Sequence, residues 1–231
     1  MKTILALIAL IASVLAGSAH AVPIISSFSY TEQPTEVTQL GQLDYFNSQN
    51  GTLKLDSVEL ILSGSMTSVI TLTNKTSVSQ TLHGDGGVVL GFYTPSGILG
   101  VLGGNPQISL NVATGDQTVN AVDSNDNPGV FDSSPLKDTG IWDSLVRTDA
   151  SVLNAFTGSG TFDLTCTSQT TFTSNTKASA GTLAQQASYA ACGAEVIYTY
   201  EPTAQLPEPA TLMLLALGLL GLASSRRLGA R

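Results

Sequence analysis

Histidine is nearly missing from this chain. It occurs twice, at His20 and His83, and the first falls in a stretch that reads below as a removable leader. A body with one imidazole has no multi-histidine zinc site, and any Ser-His-Asp triad in it has a single candidate base. Cysteine is also scarce. Cys166 and Cys192 are the only two, which excludes a CxxC redox pair and a thiolate metal cluster. There is one tryptophan, and no phosphate loop or dinucleotide fingerprint appears. Charged residues make up 11% of the chain, nine basic against seventeen acidic. Setting aside Lys2, Arg226, Arg227 and Arg231 and keeping Glu208, five basic residues face those seventeen acids, a balance near −12. Such a surface repels nucleic acid, and it repels anionic polysaccharide unless cations bridge the two.

Long apolar runs are confined to the two ends. Lys2 precedes an apolar stretch over 4–15, and Ala19-His20-Ala21 follows as an A-x-A cleavage site. This is the pattern of a secretory signal peptide over residues 1–21, cut by signal peptidase after Ala21 to leave Val22. The other run, 210–225, lies behind Leu206-Pro207-Glu208-Pro209 and ahead of Arg226 and Arg227. As a helix it spans about 24 Å, short of the roughly 30 Å hydrocarbon core but enough for a thin bilayer. Its leucines cover every face, so it is expected to be a transmembrane helix and not a one-sided core helix. Arg226 and Arg227 mark the cytoplasmic end, which puts the body on the exported side. Pro207 and Pro209 fix φ, and Pro209 also holds Glu208 extended, so the strip ahead of the helix has a shape that a protease can grip.

Pro207-Glu208-Pro209, the apolar helix and the arginine pair, in that order over 206–231, resemble the PEP-CTERM sorting signal of Gram-negative bacteria. The resemblance implies an exosortase as partner, a membrane-embedded cysteine protease that cleaves near the triplet. It also implies a route: anchored in the inner membrane with the body in the periplasm, then at the cell surface or outside the cell.

Residues 22–205 are expected to form one exported domain. Hydrophobic content of 42% with few charges and abundant Ser, Thr, Asn, Gln and Gly is not the disordered signature. It suits strands whose solvent faces are covered by hydroxyl side chains. Residues 53–62 alternate apolar and polar, with one break of register at Ser57-Val58. After Ser63-Gly64-Ser65 a second strand follows at 69–73. Further strands are expected at 88–93, 108–112, 161–172 and 195–200. Only 151–156 and 182–191 look helical. The fold class expected is all-β, an antiparallel β-sandwich of immunoglobulin-like or jelly-roll-like form, flanked by the signal helix and the transmembrane helix.

The body also resembles a family. Leu43-Asp44-Tyr45-Phe46-Asn47, Gly51-Thr52-Leu53-Lys54-Leu55-Asp56-Ser57-Val58, Phe156-Thr157-Gly158-Ser159-Gly160-Thr161-Phe162 and Val196-Ile197-Tyr198-Thr199-Tyr200 are similar to the choice-of-anchor E domain. The resemblance implies alternative C-terminal surface anchors among members. It brings no activity, ligand or site residues.

Both cysteines lie in the exported part, where oxidising conditions favour a bridge, and two cysteines allow one pairing, expected between adjacent strands. His83-Gly84-Asp85-Gly86-Gly87 reads as a turn between strands with an exposed histidine. Asp123, Asn125 and Asn127 place oxygen ligands at positions 1, 3 and 5, as a calcium loop begins. The pattern then departs, with Pro128 at position 6 and Ser134 where a bidentate Glu belongs, and an Asx-turn loop is the plainer reading. Asn50-Gly51-Thr52 and Asn74-Lys75-Thr76 match the glycosylation sequon by coincidence of composition. Trp142 and Tyr198 are candidate sugar-stacking rings.

Three classes of function follow. The leading one is a non-catalytic surface or matrix protein with no cofactor, associated with the envelope or exopolysaccharide. The second is a ligand-binding module for glycan, assisted by calcium, or for ice, the latter on the Thr-x-Thr pairs at 71–73, 165–167 and 171–173. The third, a hydrolase, is disfavoured by the lone histidine.

Overall fold

The computed structural model describes residues 23–94, 97–175 and 181–203. The signal segment 1–21, with Ala19 and Ala21, lies outside the described residues. So does the sorting segment 206–231, with Pro207, Glu208, Pro209, the helix expected over 210–225, Arg226 and Arg227. No described helix is long and apolar enough to cross a membrane.

The described chain divides into two compact units. The larger comprises Pro23–Asn47 and Leu55–Thr199. Its strands are β1 (Ile24–Ser29), β2 (Gln33–Pro34), β3 (Thr38–Asp44), β4 (Leu53–Asn74), β5 (Gln80–Leu82), β6 (Gly84–Tyr93), β7 (Gln107–Ala113), β8 (Gln117–Val119), β9 (Gly129–Asp132), β10 (Leu136–Asp143), β11 (Thr161–Ser174) and β12 (Thr182–Pro202). Two short helices, α1 (Ile98–Val101) and α2 (Ala150–Phe156), lie between strands. The first residues of β4 and the last of β12 belong to the smaller unit, which contains Ser48–Lys54 and, among the described residues, 200–203.

The first sheet has the order β1-β12-β4-β10, with β2 against β12 and β9 against β4. The second has the order β3-β11-β6-β7, and β5 pairs with β8. The pairs β1–β12, β4–β10, β3–β11, β6–β11 and β6–β7 are antiparallel. The chain changes sheet at each main connection except the β6–β7 hairpin. Of the two expected forms, this is the strand order of a jelly roll, two interlocked Greek keys.

The core lies between the sheets. Along β4 every second residue from Val58 to Leu72 is buried, as a strand with one face on a core requires. Opposite stand Val88, Leu90 and Phe92 of β6, Ile108 and Leu110 of β7, and Phe162 and Leu164 of β11, each buried. Each such side chain contributes about 1.5–3 kcal/mol through loss of water contact. Gly64 and Gly140 of the first sheet have no side chain where Leu90, Ile108 and Leu110 project from the second, and those side chains fill the space that a Cβ would take.

Several expectations change. Residues 53–62 and 69–73 are one 22-residue strand. Ser63-Gly64-Ser65 reads as a gap from its residue types, yet Gly64 is the close-packing position of that strand. The register break is real: Asp56 and Ser57 are both half-buried, and the burial phase shifts there by one residue. Residues 182–191 are not helical but the first half of β12. Their Ala, Leu and Gln content favours helix, and pairing within a sheet overrides that propensity. His83–Gly87 is not a turn, because β6 begins at Gly84 and pairs with β11 and β7 along its length. The helical expectation at 151–156 agrees with α2.

Candidate functional site

Cys166 and Cys192 form a disulfide, with Cα atoms 6.5 Å apart. It joins β11 to β12. These are not neighbours in one sheet, as expected, but members of different sheets, so the bond ties the two layers together through the core. Both cysteines are buried. Gln39 of β3 stands opposite Cys166, and its Oε1 accepts the Cys192 backbone N–H at 3.1 Å.

The quoted stretches near residues 43–47, 156–162 and 196–200 meet in one place. Phe46 N–H donates to the Phe156 carbonyl at 2.9 Å, Gly158 N–H to the Phe46 carbonyl at 3.0 Å and Tyr45 N–H to the Gly160 carbonyl at 3.0 Å. Phe46 and Phe156 both pack on the ring of Tyr198, and Phe156 packs edge-on against Phe162. The Tyr198 hydroxyl donates to the Asp44 carbonyl at 2.6 Å. Burial, and then the charge of Asp44 and the neighbouring Tyr45, push its phenol well above the ordinary tyrosine range. Tyr198 is fully buried, so it cannot stack on a sugar. Trp142 is half-buried on β10, opposite Leu62.

His83 Nδ1 lies 3.1 Å from Asp116 Oδ1 at an exposed position. Asp123, Asn125 and Asn127 form a closed Asx loop. Asp123 Oδ1 accepts the backbone N–H of Asn125 (2.8 Å) and of Asn127 (2.9 Å), and Oδ2 accepts Asn127 Nδ2 at 2.9 Å. These bonds, that of the Asn127 side chain first, hold the Asp123 carboxyl below its usual value. Among the described residues no group of three or more His, Cys, Asp or Glu is gathered to hold a metal ion. Asn74, the acceptor of one sequon, is fully buried, and its Nδ2 donates to the carbonyls of Val78, Val119 and Asn120. It closes a loop and offers no attachment point.

The solvent faces of the two sheets differ. On the second sheet Thr165, Thr167, Gln169, Thr171 and Thr173 point outward along β11. β6 sets Gly91 opposite Thr167 and Gly87 opposite Thr171. A side chain at Gly87 would meet Thr171 Oγ1 at 2.5 Å and Asn111 Oδ1 at 2.9 Å. That face has two hollows, of which the first is floored by Gly86 and Gly87. One, of about 430 Å³, is bordered by Asp85, Asn111, Thr171 and Thr173. The other, of about 460 Å³, is bordered by Glu36, Thr38, Tyr93, Thr167 and Gln169. Glycine inside a strand often marks such close approach, and the glycines within and just before 88–93 were the available signal. Thr71 and Thr73 lie on β4 in the other sheet, so the Thr-x-Thr pairs do not form one ladder.

The first sheet carries one hollow of about 460 Å³ bordered by Ser27, Ser29, Ser63 and Glu195, and another of about 330 Å³ bordered by Ser29, Ser63, Ile141 and Gly193. Glu59 on that sheet has its carboxyl held above the usual range, by desolvation first and then by Asp143 and Glu195.

In the smaller unit, Gln49, Asn50 and Gly51 take successive left-handed φ values of 49°, 58° and 85°. Their turn is fixed by Leu53 N–H and Gly51 N–H, each donating to the Ser48 carbonyl at 3.0 Å. The end of β12 is bound to it. Thr203 N–H donates to the Thr52 carbonyl at 2.9 Å, Thr203 Oγ1 to the Gly51 carbonyl at 2.8 Å, and Lys54 pairs with Glu201 at 2.8 Å. The chain thus leaves for the sorting segment from a clamped position.

Residues 205–227 match the PEP-CTERM protein-sorting motif. The motif implies exosortase-dependent sorting to the cell surface, with an exosortase as processing partner. No curated protein matches the chain. Among solved structures, the chain is similar to the VP2 subviral particle of infectious bursal disease virus, at 11% identity and a TM-score of 0.22, over 79% of this chain and 38% of that one. It is also similar to a chain of turnip yellow mosaic virus, at 9% identity and a TM-score of 0.17 over 80% and 97% of the two chains. A third likeness is to desmodium yellow mottle tymovirus, at 10% and 0.16 over 84% and 97%. At those scores the likenesses carry no argument about function, and the chain spans well under half of the first of these proteins.

Proposed function

We propose that this chain is a non-catalytic exported protein of the cell surface or extracellular matrix. Its signal peptide directs export, the segment 210–225 holds it in the inner membrane with the body outside, and an exosortase cuts near Pro207-Glu208-Pro209. The body then acts in the envelope or with exopolysaccharide. The motif at 205–227 carries this reading. The body's resemblance to the choice-of-anchor E domain rests on the short stretches quoted above, three of which meet around Tyr198. Intact-mass measurement of the secreted protein tests the reading. A product beginning at Val22 and ending near Pro207 is expected, and the full C-terminus in cells that contain an exosortase would refute it.

A second reading, a glycan-binding module, is favoured by the second sheet's outer face. Its two hollows are lined by hydroxyl, amide and carboxylate groups with Tyr93 beside one of them, the mix of polar contacts and an aromatic surface that suits a sugar. A glycan array separates the two readings.

A further inference from the structure

The first strand of the body pairs with its last. β1 begins at Ile24, opposite Tyr198 of β12, so the chain enters the first sheet where the last strand is about to leave it. Signal cleavage after Ala21 would leave only Val22 and Pro23 ahead of that strand. At the other end, Thr203 is clamped through its N–H and its hydroxyl to the turn at Gly51 and Thr52. From Thr203 to Pro207 the chain advances four residues, which reach at most about 14 Å when fully extended. An enzyme cleft closing on Pro207-Glu208-Pro209 therefore comes against whatever surrounds Thr203.

Thr203 is bonded to the exposed turn Gln49-Asn50-Gly51-Thr52, and the Lys54–Glu201 pair belongs to the same unit. This turn bears no charge, although the chain is strongly acidic. It also holds Gln49 and Asn50 in a backbone region that side-chain-bearing residues enter at a cost. Strain of this kind persists only where surrounding bonds fix it, and it clusters at recognition sites. Here the Ser48 carbonyl and the Thr203 clamp fix it.

We propose that the turn at 49–52 is a docking surface for the membrane-embedded protease that cuts the sorting segment, and that the clamp on Thr203 sets the distance from the docked turn to the cleaved strip. The proposal rests on the sorting reading above. It names a partner contact outside the Pro-Glu-Pro motif, on the body of the substrate.

The test follows processing of the full chain in cells that contain the exosortase, by pulse-chase and intact mass. Twelve Gly/Ser residues inserted after Thr203 lengthen the leash from four residues to sixteen. The local concentration of the strip at a protease docked on the turn then falls by about eightfold on the −3/2 power of length, and processing slows to match. A body that merely obstructs the enzyme gives the opposite sign, faster processing with the longer leash, and overturns the proposal, as does an unchanged rate. The variant Asn50→Gly keeps the turn, because glycine adopts positive φ freely, and removes that side chain. Processing about fivefold slower, the loss of a single strong interface contact, is expected at unchanged folding. Wild-type kinetics in that variant also overturn the proposal. If the parent chain is not cut at all, the sorting reading fails instead.

Discussion

Reducing the Cys166–Cys192 bond is expected to lower the stability of the body by about 3.5 kcal/mol. The bond closes a loop with a sequence separation of 26. On the chain-entropy account, a cross-link over about that many residues removes roughly 12 cal/mol/K from the unfolded ensemble, or about 3.5 kcal/mol at 25 °C. The structure sets the context for that figure. The bond joins a strand of one sheet to a strand of the other, and both sulfurs sit in the core, so reduction leaves two buried thiols and removes no apolar packing. For a body of this size 1 kcal/mol moves the melting temperature by about 2–4 °C, which puts the reduced form roughly 7–14 °C lower. Urea unfolding with and without reductant, followed by fluorescence, measures the difference directly. A lower midpoint is expected in the reduced form, with a slope equal to or steeper than that of the oxidised form, because the unfolded chain without its cross-link exposes at least as much surface. A shift below about 1 kcal/mol would refute the claim that the bond constrains the unfolded chain. So would free thiols in the native secreted protein.

Tyr198→Phe is expected to destabilise by about 1–2 kcal/mol, since it strips the Asp44 carbonyl of its buried donor at 2.6 Å; thermal unfolding of the variant checks it. The Tyr198 phenol has its pKa raised by burial first. Its share of stability is therefore complete below the unfolded tyrosine value of about 10 and is lost as pH rises towards the folded value. Glu59 is likewise raised, by desolvation and then Asp143, so its carboxyl should titrate above an ordinary glutamate by NMR and move down in Asp143→Asn. Asp123 is lowered by Asn127 and Asn125. Its contribution is present above the unfolded Asp value and fades as pH falls through the lower folded value, and the amide shifts of Asn125 and Asn127 should report that titration.

Strand positions were legible where alternation was regular. Within β4, residues 58–62 and 69–73 read directly from their apolar residues, and the phase break before Val58 survives in the folded protein. Residues chosen for space misled. Gly64, Gly86 and Gly87 look like turn formers, yet each sits in a strand where a neighbour occupies the volume of the missing side chain: Leu90 for Gly64, Gln186 for Gly86, Thr171 for Gly87. That signal is tertiary, and no local pattern carries it. The same holds for 182–191, whose composition favours helix and whose alternate burial becomes visible only inside a sheet. The disulfide pairing was readable by elimination, but not its path between the layers, because sheet membership depends on strand order. The clamp on Thr203 joins positions about 150 residues apart, beyond the reach of any motif.

Strand order also bears on when this body can finish folding. β1 pairs with β12 and with no other strand of the first sheet's path. Ile24 therefore waits for Tyr198 before its strand is secured, and Cys166 waits for Cys192. Contacts of such sequence separation form late, since chain closure costs entropy before the contact returns any stability. A chain exported from its N-terminus presents β12 last, immediately ahead of the sorting segment. On the sorting reading, the apolar run then holds the chain at the membrane during the interval in which its first and last strands meet. A product cut at Pro207-Glu208-Pro209 retains all of β12, the disulfide and the Thr203 clamp, so the cut removes the hold without taking any strand from the fold.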